Sequence, residues 1–119
     1  MKIAVTSNGT DLDSQVDPRF GRAAYILIVD TFTLGVDVID NSENVNAFKG
    51  AGIQAATMVS DKGAKALLTG FCGPKAFQIL NAAEINVVND VNGTVREAVS
   101  SFIEGKISFA NAANVEGHW

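Results

Sequence analysis

Ala64-Lys65-Ala66-Leu67-Leu68-Thr69-Gly70-Phe71-Cys72-Gly73-Pro74 decides the fold. Ala64 to Thr69 is a short apolar run of strand length. Gly70-Phe71-Cys72-Gly73 is a tight turn, and Pro74 suits the first position of a helix, where its missing N–H costs nothing. The next stretch keeps helical spacing. Phe77, Leu80 and Ala83, with Ala76 and Ile79, are expected to face the core, while Lys75, Gln78 and Asn81 face water. Ile85 to Val88 is then the last strand. A strand, a helix and a second strand in that order require parallel pairing through a crossover.

Working outward, residues 2–7 form a buried strand with β-branched Ile3 and Val5, closed by Ser7-Asn8-Gly9. Residues 8–23 are irregular, and so long a loop in a small domain is usually functional. Tyr25 to Asp30 and Val36 to Asp40 are strands, joined by Thr31 to Gly35 as an antiparallel hairpin. Asn41 to Lys49 reads as a polar loop. A helix runs from about Gly50 to Lys62 and stops at Gly63. The last helix carries Val95, Ala98, Val99, Phe102 and Ile103 on one face. Thr94 and Glu97 form a capping box at its start, and Gly105 ends it. Lys106 to Trp119 has no strong periodicity. The order is β-β-β-α-β-α-β-α, an α/β mixed sheet with three helices on its faces.

The 119 residues, 47% of them hydrophobic, suit one domain spanning 1–119. No run approaches the ~20 apolar residues of a membrane span, and the start turns polar too early for a secretory signal. The lone cysteine, Cys72, excludes an internal disulfide and fits a reducing compartment, so a cytoplasmic location is expected. A net charge of −4 argues against nucleic acid but allows a small anion in a local basic pocket.

Three helices open at glycine: Gly50-Ala51-Gly52, Gly73-Pro74 and Gly93-Thr94. If their strands are parallel, all three helix N-termini lie at one sheet edge, where the first strand ends in Ser7-Asn8-Gly9. Helix N-termini present unpaired N–H groups and partial positive charge, and glycine permits close approach to the backbone. Taken singly, each glycine reads first as an ordinary turn; it is the three together, with Ser7-Asn8-Gly9, that point to a binding site. Arg19 and Arg22, two of the three arginines, lie in Asp17-Pro18-Arg19-Phe20-Gly21-Arg22. They suit an oxyanion or sulfide anion, or pair with Asp11, Asp13 or Asp17 to pin the loop. Cys72 stands beside a helix N-terminus, a setting that favours thiolate and a soft metal; the alternative is a small buried apolar residue. His118 is a second possible metal ligand, but one cysteine and one histidine make no closed zinc or iron–sulfur site. Acid–base chemistry is poorly supplied, with no second histidine, no Gly-x-Ser-x-Gly elbow and no Walker loop.

Five segments in order carry a family resemblance: Asp17-Pro18-Arg19-Phe20-Gly21-Arg22-Ala23; Gly50-Ala51-Gly52-Ile53-Gln54-Ala55-Ala56; Thr69-Gly70 with Gly73-Pro74-Lys75-Ala76-Phe77; Gly93-Thr94-Val95-Arg96-Glu97-Ala98; and Gly117-His118-Trp119. Over nearly its whole length the chain resembles the dinitrogenase iron–molybdenum cofactor biosynthesis family. The resemblance implies a ribonuclease H-like, three-layer fold with strand order 3-2-1-4-5 and strand 2 antiparallel. It also implies binding of nitrogenase cofactor or its precursors. Short stand-alone members, the orange proteins, hold a molybdenum–copper–sulfide cluster non-covalently.

The expected function is therefore non-catalytic binding, carriage or storage of an anionic cluster, molybdenum–copper–sulfide or iron–molybdenum–sulfur. The expected site is Ser7, Asn8, Gly9, Arg19, Arg22, Gly50, Gly52, Gly70, Cys72, Gly73 and Gly93, with Cys72 and His118 as optional metal ligands. Proteins that deliver or receive the cluster are the expected partners, and neither nucleic acid nor membrane is. Two alternatives remain. One is a regulatory interaction module without cofactor. The other is a ribonuclease H-like nuclease, which needs clustered carboxylates that the first strand lacks.

Overall fold

The structure, a computed structural model, describes residues 1–45, 50–110 and 113. Five strands form one sheet: β1 (Lys2–Ser7), β2 (Tyr25–Asp30), β3 (Val36–Asp40), β4 (Ala66–Leu68) and β5 (Asn86–Val88). The order is β3-β2-β1-β4-β5. β2 runs antiparallel to both neighbours, while β1, β4 and β5 are mutually parallel. The expected order and the antiparallel second strand are both present.

Strand alternation builds two cores. Ala4, Ile26, Ile28, Leu67 and Val87 point to the face covered by α2 (Ala51–Asp61) and α3 (Pro74–Ala82). Ile3, Val5, Leu27, Val29 and Leu68 point to the opposite face, under α4 (Val95–Ile103). Successive strand residues face opposite sides, so a strand buried on both reads as an unbroken apolar run. Three layers result.

Three expectations change. A fourth helix, α1 (Ser42–Val45), occupies part of the expected polar loop. The Asp40 carboxylate accepts the Ser42 N–H at 2.9 Å and starts this single turn, which is too short to show a hydrophobic period. Ala83 and Ile103, both assigned to core faces, are exposed. Each lies at or beyond the last turn of its helix, where the apolar stripe runs past the sheet. The strands around the decisive turn are also shorter than read, β4 spanning Ala66–Leu68 and β5 Asn86–Val88, although Thr69 N–H still bonds Val88 O at 3.0 Å.

Tyr25 pairs with both Ser7 and Asp40. The ends of β1 and β3 and the start of β2 therefore share one edge, which the parallel β4 and β5 also reach. The 8–24 loop, the start of α2, the 69–73 turn and the 89–94 turn all stand there. No described helix is long and apolar enough to cross a membrane.

Candidate anion site at the sheet edge

The expected site residues divide into two groups. Ser7, Asn8, Gly9 and Gly93 belong to a closed group. Ser7 Oγ and the Gly9 backbone bond each other, and Asn8 N–H donates to Gln15 O at 2.9 Å. Residues 12–16 then run along the start of α4. Val16 N–H donates to Gly93 O, while Val95 and Arg96 N–H donate to Ser14 O and Leu12 O at 2.9 and 2.7 Å. Thr94 Oγ1 accepts the Glu97 N–H, and Glu97 Oε1 accepts the Thr94 N–H at 2.9 Å. The capping box is present as read. Every N–H that α4 might have offered an anion is consumed, and Glu97 already answers its partial positive charge. The expectation that Gly93 opens an anion-binding end is corrected for that reason.

The second group surrounds Asp17 to Arg22. Phe71 N–H donates to Pro18 O at 2.6 Å, and Phe20 N–H donates to Phe71 O at 3.1 Å. The loop thus adds a short parallel bridge across the β4–α3 turn. Two glycines permit that fit. A Cβ on Gly70 would stand 2.7 Å from Pro18 O, and one on Gly21 would stand 2.6 Å from Gly52 N. Gly70 and Gly52 therefore meet protein backbone, where close approach by a ligand had been expected. Phe20, only 1% exposed, anchors the loop in the α2–α3 core.

Buried polar side chains hold both halves of this loop. The Asp17 carboxylate, 3% exposed, accepts the N–H of Arg19 at 3.0 Å and of Ala24 at 3.4 Å. Arg19 Nε lies 3.7 Å from it, so the pinning alternative is realised for Arg19, whose side chain stays half-exposed. On the other side Asn41 Nδ2 donates to Gly21 O at 3.2 Å and Ala23 O at 2.8 Å. Arg22 Nη1 donates to Asn44 O at 3.4 Å. Asn41 and Asn44 were hidden within what read as a polar loop. Their one signal was two asparagines three apart directly after a strand.

α2 and α3 begin differently from α4. Gly50 is the N-cap of α2 with φ +82°, and Gly73 is the N-cap of α3 in an extended conformation. Neither first turn has a side-chain cap or an acidic residue. The first intrahelical donors are Gln54 and Phe77, to Gly50 O and Gly73 O. The N–H groups ahead of them point out of the helix end. Lys75, exposed in the first turn of α3, puts a cation where a helix ordinarily prefers an anion.

Cys72 sits at the same turn but belongs to the core. It is 0% exposed, its Sγ lies 3.7 Å from Gly73 O, and burial pushes the thiol up to about 12. Desolvation outweighs the helix end and favours the neutral thiol, so of the two readings the small buried apolar residue describes Cys72. His118 lies outside the described residues. Among the described residues no three His, Cys, Asp or Glu side chains gather as a metal site. A cavity of about 540 Å³ lies between the β5 end and α4. Asp90, Glu97 and Asn92 line it, and none of the expected site residues does.

Comparison with known proteins agrees with this architecture. The apo form of the orange protein from Desulfovibrio gigas is 47% identical, covers 96% of each chain and superposes with a TM-score of 0.93. A Thermotoga protein of the DUF35 family is 35% identical, covers 98% of each chain and has a TM-score of 0.83. An uncharacterized protein of Methanocaldococcus jannaschii is 26% identical over 110 residues, covering 90% of this chain and 89% of that one. The dinitrogenase iron-molybdenum cofactor family profile matches residues 1–105, and the chain belongs to that family.

Proposed function

We propose that the chain binds and carries an intact anionic metal–sulfur cluster containing molybdenum with copper or iron, and performs no chemistry on it. The observation that carries this reading is the contrast among helix starts. The end of α4 is closed by Leu12, Ser14 and Glu97, whereas α2 and α3 open at the loop bearing Arg19 and Arg22 with neither cap nor acid. Lys75 adds a third cation. Outward N–H groups, guanidinium forks and an ammonium suit a multiply charged anion taken up whole. A bare cation finds no ligand set there among the described residues.

Family membership and the likeness to the orange protein support a molybdenum-containing cargo. The cargo would be cradled by the starts of α2 and α3 at Gly50 and Gly73 and neutralised by Arg19, Arg22 and Lys75. Proteins that deliver or receive it, in the cytoplasm, complete the reading. The sheet order also supports grouping the fold with ribonuclease H-like domains.

The test is reconstitution. Purified protein is incubated with tetrathiomolybdate and copper(I), desalted, and examined for visible absorbance and for molybdenum, copper and iron content. Retained colour and metal are expected. Arg22→Ala should weaken binding about ten- to a hundredfold, since a charge-assisted contact contributes ~1.5–3 kcal/mol. If Arg19→Ala and Arg22→Ala both bind like wild type and only melt earlier, the loop is structural and the reading fails.

A further inference from the structure

We infer that Asn41 is a positioning residue for Arg22, holding that guanidinium at the open edge of α2 and α3. The inference rests on the proposed anion-binding reading and names the group that sets its geometry. Asn41 is 1% exposed, and its Nδ2 grips the carbonyls of Gly21 and Ala23, which bracket Arg22 on either side. Its backbone N–H donates to Ala24 O at 3.1 Å, so three carbonyls of this short segment bond one residue. Asn41 Oδ1 accepts from Asn44 Nδ2 at 2.7 Å, and Asn44 supplies the carbonyl that meets Arg22 Nη1. These bonds fix the orientation of both amides. Turning Asn41 would set its oxygen against two carbonyls, and turning Asn44 would set two amide oxygens against each other.

The arrangement carries a cost. Asn44, 3% exposed, keeps a buried Oδ1 with no hydrogen-bond partner among the described residues. An unsatisfied buried acceptor destabilises, whereas the Asn41 amide satisfies two backbone carbonyls that an apolar residue would leave unpaired. Two buried asparagines are thus kept at the expense of one acceptor. They are well explained if the backbone around Arg22 must be held still for a directional guanidinium fork.

The test is a double-mutant cycle, read by titration of tetrathiomolybdate and by thermal melting. Arg22→Ala is the control for the underlying reading. Asn41→Ala should weaken binding about tenfold, and the Arg22→Ala/Asn41→Ala double variant should bind no more weakly than Arg22→Ala alone. Should Asn41→Ala fail to fold, Asn44→Ala carries the test. It leaves Arg22's backbone contact, frees one end of Asn41, and should weaken binding about threefold, again only while Arg22 is present. If Arg22→Ala weakens binding and the asparagine variants do not, or add to it independently, the positioning role is overturned and the anion site stands. If Arg22→Ala leaves affinity unchanged, both fall.

Discussion

Gly21→Ala tests how the Asp17–Arg22 loop is seated. The added methyl carbon would lie 2.6 Å from Gly52 N, 2.8 Å from Gly52 Cα and 3.0 Å from Ala51 C. All three are backbone atoms of the first turn of α2, so no side chain can rotate away. Relief requires the loop to rise, and overpacking of this kind costs ~1–3 kcal/mol. Rising also stretches the bond from Asn41 Nδ2 to Gly21 O, a net ~0.5–1.5 kcal/mol. The expected total is about 2–4 kcal/mol, a melting point lower by roughly 10 °C for a chain of this length. Gly50→Ala is the matched comparison. Gly50 has φ +82°, and a methyl carbon added there would meet no atom within 4 Å, so only left-handed backbone strain of about 1–2 kcal/mol applies. Urea unfolding followed by circular dichroism measures both. A Gly21→Ala protein within ~0.5 kcal/mol of wild type, or less affected than Gly50→Ala, would show that the loop does not rest on α2.

Three further outcomes are expected. Thr94→Ala should lower stability by about 1 kcal/mol through loss of the capping box and leave anion affinity unchanged; the opposite pattern in melts and titrations would return the α4 start to the site. Cys72→Ala should lower stability by about 1 kcal/mol, as for one buried methylene, and keep anion binding; abolished binding in a folded protein would establish thiolate ligation. Hydrogen bonds from the backbone and hydroxyl of Thr94 hold the Glu97 carboxyl below its ordinary 4.5. A depressed folded value stabilises above the ordinary value and is lost as pH falls. The melting temperature of wild type should therefore approach that of Glu97→Gln below pH 4.5, and a gap constant from neutral pH down to about 3 would refute the linkage.

Much of the layering was legible because each buried strand reads as an apolar run and each parallel strand needs a crossover. Ile3 and Val5 on one face and Ala4 on the other follow from the two-residue period alone. The capping box was legible because both partners lie within one turn. What escaped was long-range. Leu12 and Ser14 close the α4 start through backbone carbonyls, which no residue pattern records. The role of Gly70 against Pro18 depends on a contact between residues 52 positions apart in sequence. For Cys72 the sequence left two readings open, a thiolate beside a helix start and a small buried residue, and the packed core around it decides for the second.

The burial of Cys72 bears on how a cluster would be held. Burial pushes the Cys72 thiol up to about 12 and so disfavours the thiolate at neutral pH. A metal would have to offset this and also open a core in which Cys72 is 0% exposed. Docking an intact anion at the edge disturbs no core. Two arginine contacts at ~1.5–3 kcal/mol each, with helix ends adding ~0.3–1 kcal/mol apiece, total about 4–8 kcal/mol. Set against the freedom lost on association, contacts of that size leave binding that is readily reversed, as transfer to an acceptor protein requires. Thiolate ligation at Cys72 would instead tie release to breaking a metal–sulfur bond inside the core. On the proposed reading, the buried neutral thiol favours a carrier that keeps its cargo at the edge.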